Sequence, residues 1–89
     1  MPLVEFTDNL ASQTRAPACR VDGATVGEAL QAVFAMTPGL RGYVLDDQGA
    51  VRTHVVIFLD NVAMRDRQKL SDTVRPDSEI FVMQALSGG

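Results

Sequence analysis

Thr25-Val26-Gly27-Glu28-Ala29-Leu30-Gln31-Ala32-Val33-Phe34 is the segment from which the rest of the chain can be placed. Thr25 is a residue type that caps the first amides of a helix. Glu28, three positions on, can bond back to the cap, the reciprocal arrangement of a capping box. Val26, Ala29, Leu30, Val33 and Phe34 recur at helical spacing and form one continuous apolar stripe, which reads as core. Thr37-Pro38-Gly39 ends the helix just after Met36, because proline disfavours α geometry in the residue before it.

Upstream, Leu3-Val4-Glu5-Phe6-Thr7 and Ala18-Cys19-Arg20-Val21 carry the β-branched and aromatic content of two strands. The polar segment Ala11 to Pro17 between them reads as a loose hairpin loop. Downstream, Leu40, Tyr43, Val44 and Leu45 suit a short helical turn over the edge of the core, and Asp46-Asp47-Gln48-Gly49 is a turn. His54-Val55-Val56-Ile57-Phe58-Leu59 is the strongest strand, which Asp60-Asn61 turns into a short partner, Val62-Ala63-Met64. Arg65 to Lys69 is an exposed, mixed-charge connection anchored by Leu70 and Val74. Arg75-Pro76-Asp77-Ser78 then turns into a last strand, Glu79 to Gln84. Strand pairs flanking one long helix predict an α+β domain, a mixed sheet of four to five strands with the helix across one face. That is the β-grasp layout, over residues 1–84, with a flexible tail at 85–89.

A single helical layer covers one face of such a sheet, and strand side chains alternate between faces. Val55, Ile57, Leu59, Ile80 and Val82 are assigned inward. Val56, Phe58, Phe81 and Met83 are left on the outer face, an apolar cluster that costs about 25 cal/mol per Å² to leave in water. Clusters of this kind mark protein interfaces; the alternative is that the loops at 8–17 or 40–50 fold over it. A partner docked there would sit beside the last strand and receive the tail, Leu86-Ser87-Gly88-Gly89. Two glycines without side chains let a narrow tunnel close around the backbone, and they reach φ/ψ values other residues avoid. The Gly89 carboxylate is the candidate reactive group.

Composition narrows the classes. Eighty-nine residues make one domain. A charged fraction of 21% argues against disorder, and a net charge of −3 argues against nucleic acid as a partner. Apolar runs fall short of the about 20 residues of a membrane span, and Met1-Pro2-Leu3-Val4-Glu5 is no signal peptide, so a cytoplasmic protein is expected. Cys19 is the only cysteine; with only His54 to join it, no zinc ligand set is expected, and it reads as a small buried strand residue. Asp46 and Asp47 read as a solvated turn rather than a metal site. His54 and Asp60 lie at opposite ends of one strand, too far apart for a catalytic pair. With no phosphate-cradling glycine loop and no triad, the chain is expected to be no enzyme, and Gly89 a substrate group rather than a catalyst.

With these residues in view, the chain resembles the MoaD/ThiS family of ubiquitin-like sulfur carrier proteins. The resemblance rests on the capped helix Thr25 to Phe34, the central strand His54 to Asn61, and the closing stretch Asp77 to Gly89 with its Ser87-Gly88-Gly89 end. It is most similar to the carriers of cysteine biosynthesis and to the small subunit of molybdopterin synthase, although Gln84 stands where many relatives have proline. The resemblance implies that an adenylyltransferase related to ubiquitin-activating enzymes uses ATP and Mg²⁺ to turn the Gly89 carboxylate into an acyl-adenylate. A sulfur donor then displaces AMP, leaving a C-terminal thiocarboxylate that a sulfur-accepting synthase consumes. It equally permits a ubiquitin-like modifier joined to lysines through Gly89. A plain interaction domain with an inert tail is the third reading.

Overall fold

Helix α1 (Val26–Met36) begins where the chain leaves an extended conformation at Thr25, whose φ and ψ are −133° and 164°. The computed structural model describes residues 1–7 and 18–84; the expected hairpin loop at 11–17 and the tail at 85–89 lie outside them. The Thr25 hydroxyl accepts from the Glu28 amide at 3.2 Å. The reciprocal bond differs from the expected one, since the Glu28 carboxylate accepts from the Ala24 amide at 3.0 Å. Thr25 is held extended in a bridge with Thr73, which leaves the Ala24 amide as the one in reach. The first two helix amides have no intrahelical acceptor and are taken by a distant loop. Val26 N–H donates to the Asp72 carbonyl and Gly27 N–H to the Leu70 carbonyl, both at 2.9 Å. A Cβ on Gly27 would stand 3.2 Å from that Leu70 oxygen, so glycine permits the close approach.

The predicted stripe is the buried one: Val26, Ala29, Leu30, Val33 and Phe34 all face the core. Helix α2 (Arg41–Val44) follows. It is the short helical turn expected over the edge of the core: Leu40, Val44 and Leu45 are buried, and Tyr43 is exposed. One turn of helix offers a single inward side, and positions four apart occupy it.

Among the described residues, five strands form one sheet in the order β2-β1-β5-β3-β4. They are β1 (Leu3–Phe6), β2 (Cys19–Arg20), β3 (Val55–Leu59), β4 (Val62–Ala63) and β5 (Glu79–Gln84). β1 and β5 run parallel and the other pairs antiparallel, so the sheet is mixed. β5 sits in the middle, bonded to β1 and β3. Four expected strands are shorter than predicted: Thr7 lies outside β1, Ala18 and Val21 lie outside β2, His54 precedes β3, and Met64 leaves β4 to bury itself in the core. The β3–β4 turn has φ of 51° at Asp60 and 69° at Asn61, the left-handed pair of a type I′ hairpin that these two residue types tolerate. Cys19 packs against the core but is only half-buried, because β2 is a two-residue edge strand; burial still pushes its thiol pKa up.

The connection after β4 is more ordered than a run of exposed charges suggests. The Asp66 carboxylate accepts from the Gln68, Lys69 and Ser71 amides and from the Ser71 hydroxyl at 2.5 Å. Asp72 accepts from the Arg65 and Asp66 amides, both at 2.9 Å. This knot presents the Leu70 and Asp72 carbonyls to α1, and Leu70 and Val74 are buried as expected.

Candidate docking face

Alternation along β3 and β5 divides their side chains as expected. Val55, Ile57, Ile80 and Val82 are buried; Leu59, at the end of β3, is partly buried and packs on the same core. On the other face, Val56, Phe58 and Met83 are half-buried and Phe81 is 38% exposed. The strand register brings these four together, placing Phe58 opposite Phe81 and Val56 opposite Met83. Residues 40–50 do not cover them, since Leu40, Val44 and Leu45 join the core cluster that includes α1. Residues 8–17 lie outside the described part of the chain.

The face has polar members that the apolar pattern passed over. Glu5 of β1 lies opposite Phe81, and Ala63 of β4 lies opposite Phe58, so one row crosses the sheet as Glu5, Phe81, Phe58, Ala63. A shallow depression of 410 Å³ is lined by Glu5, Phe58, Asn61, Glu79, Ile80 and Phe81. Glu5 and Glu79 have no ion-pair partner among the described residues. The signal for Glu79 was present in its alternation with Phe81 and Met83; that for Glu5 needed the β1–β5 register. The cluster is therefore aromatic at its centre and acidic at one end, and it runs along the central strand toward Gln84.

The start of β5 is pinned to the β3–β4 turn. Asp60 accepts from the Glu79 amide at 2.9 Å and from the Ser78 hydroxyl at 3.0 Å, and Arg75 lies 3.8 Å away. These partners hold the Asp60 carboxyl below the usual carboxylate range, the Glu79 amide contributing most. Asp60 is thus committed to the turn, with the whole of β3 between it and His54. Asp46 is likewise engaged in its own turn, accepting from the Gln48 and Ala50 amides at 2.8 and 3.0 Å. At the far end of β5, the Gln84 amide donates to the Thr7 hydroxyl at 3.4 Å, and the Gln84 side-chain oxygen is buried with no hydrogen-bond partner among the described residues. Leu86, Ser87, Gly88 and Gly89, the predicted tail, lie outside the described residues. No described helix is long and apolar enough to cross a membrane.

The structure is similar to that of SAMP1 from Haloferax volcanii, with a TM-score of 0.84 and 26% identity over 99% of this chain and 98% of that one. It is similar to a chain of the Amycolatopsis orientalis BexX/CysO complex, with a TM-score of 0.85 and 18% identity over 100% of both. Mycobacterium tuberculosis CysO gives a TM-score of 0.82 and 17% identity over 97% of this chain and 100% of that one. No family model matches the sequence, and no curated protein matches it. The fold is the β-grasp, and its neighbours are ubiquitin-like sulfur-carrier and modifier proteins of the MoaD/ThiS type.

Proposed function

We propose that this chain is a sulfur carrier whose body is a handle for its last residue. The observation that carries the reading is spatial. The apolar face of Val56, Phe58, Phe81 and Met83 lies along β5, the central strand, and in the sequence the Gly88-Gly89 pair follows that strand after three residues, 85–87. A partner covering the face would be in place to take the tail. The likeness to CysO, which has been solved in complex with BexX, supports docking of this fold on another protein.

The chemistry follows from the carboxylate. It is a poor electrophile, so activation has to be supplied in trans; the resemblance to the MoaD/ThiS family implies that an adenylyltransferase of the ubiquitin-activating type supplies it, using ATP and Mg²⁺. A Gly89 carboxylate oxygen attacks the α-phosphorus, pyrophosphate leaves, and an acyl-adenylate forms. A hydrosulfide-equivalent nucleophile then attacks the acyl carbon; the C–S bond forms, the C–O bond to AMP breaks, and Gly89 carries a thiocarboxylate. The chain supplies no catalytic group and gives up the sulfur on a synthase. A second reading, a modifier joined through Gly89 to target lysines, draws support from the likeness to SAMP1, the small archaeal modifier protein.

Mass spectrometry of the C-terminal peptide from the native cell tests both. Replacement of one oxygen by sulfur on Gly89 supports the carrier, and an isopeptide to a target lysine supports the modifier. An unaltered carboxylate in cells actively using the pathway, together with full pathway function after deletion of Gly88 and Gly89, would leave only an interaction domain.

A further inference from the structure

Among the described residues, the depression of 410 Å³ beside Phe58 and Phe81 is lined by two carboxylates, Glu5 and Glu79, and by no cation. Glu5 is half-buried on β1 opposite Phe81, and Glu79 is exposed two positions before Phe81 on β5. With strands about 4.8 Å apart and a rise of about 3.3 Å per residue, the Cα atoms of the two glutamates stand about 8 Å apart, each a neighbour of Phe81. Neither carboxylate forms an ion pair or accepts a hydrogen bond among the described residues. The cations nearest in the sheet are engaged elsewhere. Arg20, on β2 opposite Leu3, donates to the Met1 carbonyl at 3.2 Å, and Arg75 pairs with Asp60 and Asp77.

A partner that covers Phe58 and Phe81 also takes water away from Glu5 and Glu79, and an ionised carboxylate buried without a counter-charge is strongly destabilising. A purely apolar partner surface therefore does not suit this face. A second copy of the chain does not suit it either, because it would set the same glutamates against each other. The aromatic pair narrows the choice of cation. A guanidinium lies flat on a ring while its N–H fork reaches carboxylates at the ring's edge, whereas the lysine ammonium is a point charge that holds its water more strongly. The Asn61 side chain, in the same lining, offers a further acceptor oxygen. We propose, resting on the reading of this face as a docking surface, that the depression is an arginine site: a guanidinium of the partner protein stacks on Phe81 and pairs with Glu5 and Glu79. The apolar residues supply the area of the contact, and the two carboxylates select a partner that is basic at this point.

The test uses the full ¹⁵N-labelled chain and capped tripeptides with valine at both ends and arginine, lysine or citrulline, the neutral isostere of arginine, at the centre. Amide resonances of Glu5, Asn61, Glu79 and Phe81 are expected to shift saturably with the arginine peptide, which should bind about tenfold more tightly than the citrulline one. In Glu5→Gln/Glu79→Gln that preference should vanish, while the dispersion of the other resonances reports that the fold is kept. Phe81→Ala should weaken both peptides. Equal binding of the arginine and citrulline peptides to the unaltered chain overturns the arginine site and leaves the face a docking surface. Tighter binding of the lysine peptide overturns it in favour of an ammonium. Shifts centred on Arg41 and Lys69, or no shift at all, also overturn it; an unchanged affinity of Phe81→Ala for the partner would remove the docking reading as well. Arginine-selective shifts that emerge only in Arg15→Ala would make this chain's own Arg15 the occupant and overturn it too.

Discussion

Replacing Ser78 with alanine probes how the docking strand is aimed. Ser78 is 1% exposed, and its hydroxyl accepts from the Arg75 amide at 2.8 Å while donating to the Asp60 carboxylate at 3.0 Å. A hydrogen bond to a charged group contributes about 1.5–3 kcal/mol and a neutral one about 0.5–1.5. The Asp60 side chain is 37% exposed, so water replaces part of the first, and the expected loss is about 2 kcal/mol. The chain has no tryptophan, so urea unfolding is best followed by far-UV circular dichroism, with an unchanged slope. The pH dependence supplies an independent check. The Glu79 amide, the Ser78 hydroxyl and Arg75 depress the folded Asp60 pKa, so its stabilisation is complete above the unfolded carboxylate value and is lost as pH falls through the folded one. The gap between wild type and Ser78→Ala should therefore narrow below about pH 4. A loss under about 0.5 kcal/mol, or strict additivity with Asp60→Asn, would refute the account of β5 as pinned by this contact.

Phe81→Ala should weaken docking to the proposed activating partner while leaving the fold largely intact. With 38% of the residue exposed, covering about 75 Å² of it is worth about 2 kcal/mol, or about 30-fold in affinity by calorimetry; an unchanged affinity would mean this face is not used. Gly23→Ala places a Cβ 2.6 Å from the Ala29 amide nitrogen and should destabilise the protein by about 1–3 kcal/mol in thermal or urea unfolding. The Asp66 carboxyl is held down to about 2, chiefly by the Ser71 hydroxyl and then the Lys69 amide. Its folded pKa lies below the unfolded one, so its contribution is present above about pH 4 and disappears toward pH 2. Asp66→Asn should accordingly lose less stability than wild type across that window, which an acid series of melting temperatures will show.

Much of the fold was legible because its signals are local. The stripe from Val26 to Phe34 depends only on helical period, the β3–β4 hairpin on two residues that tolerate positive φ, and the outer face on strand alternation. Where the reading fell short, the partner was remote in sequence. Nothing near α1 announces that Leu70 and Asp72 complete its N-terminus, or that Thr25 bridges to Thr73. Glu5 joins the aromatic face through the pairing of β1 with β5, which places it opposite Phe81.

The sequence by itself determined the order of strands, helix and turns, and that Ser87-Gly88-Gly89 follows the closing strand, since these are properties of neighbours along the chain. Tertiary structure alone decided which strands meet, that Glu5 joins the aromatic face, and that β5 is central. Those outcomes are set by pairing between segments dozens of residues apart, and register and burial exist only once that pairing has formed.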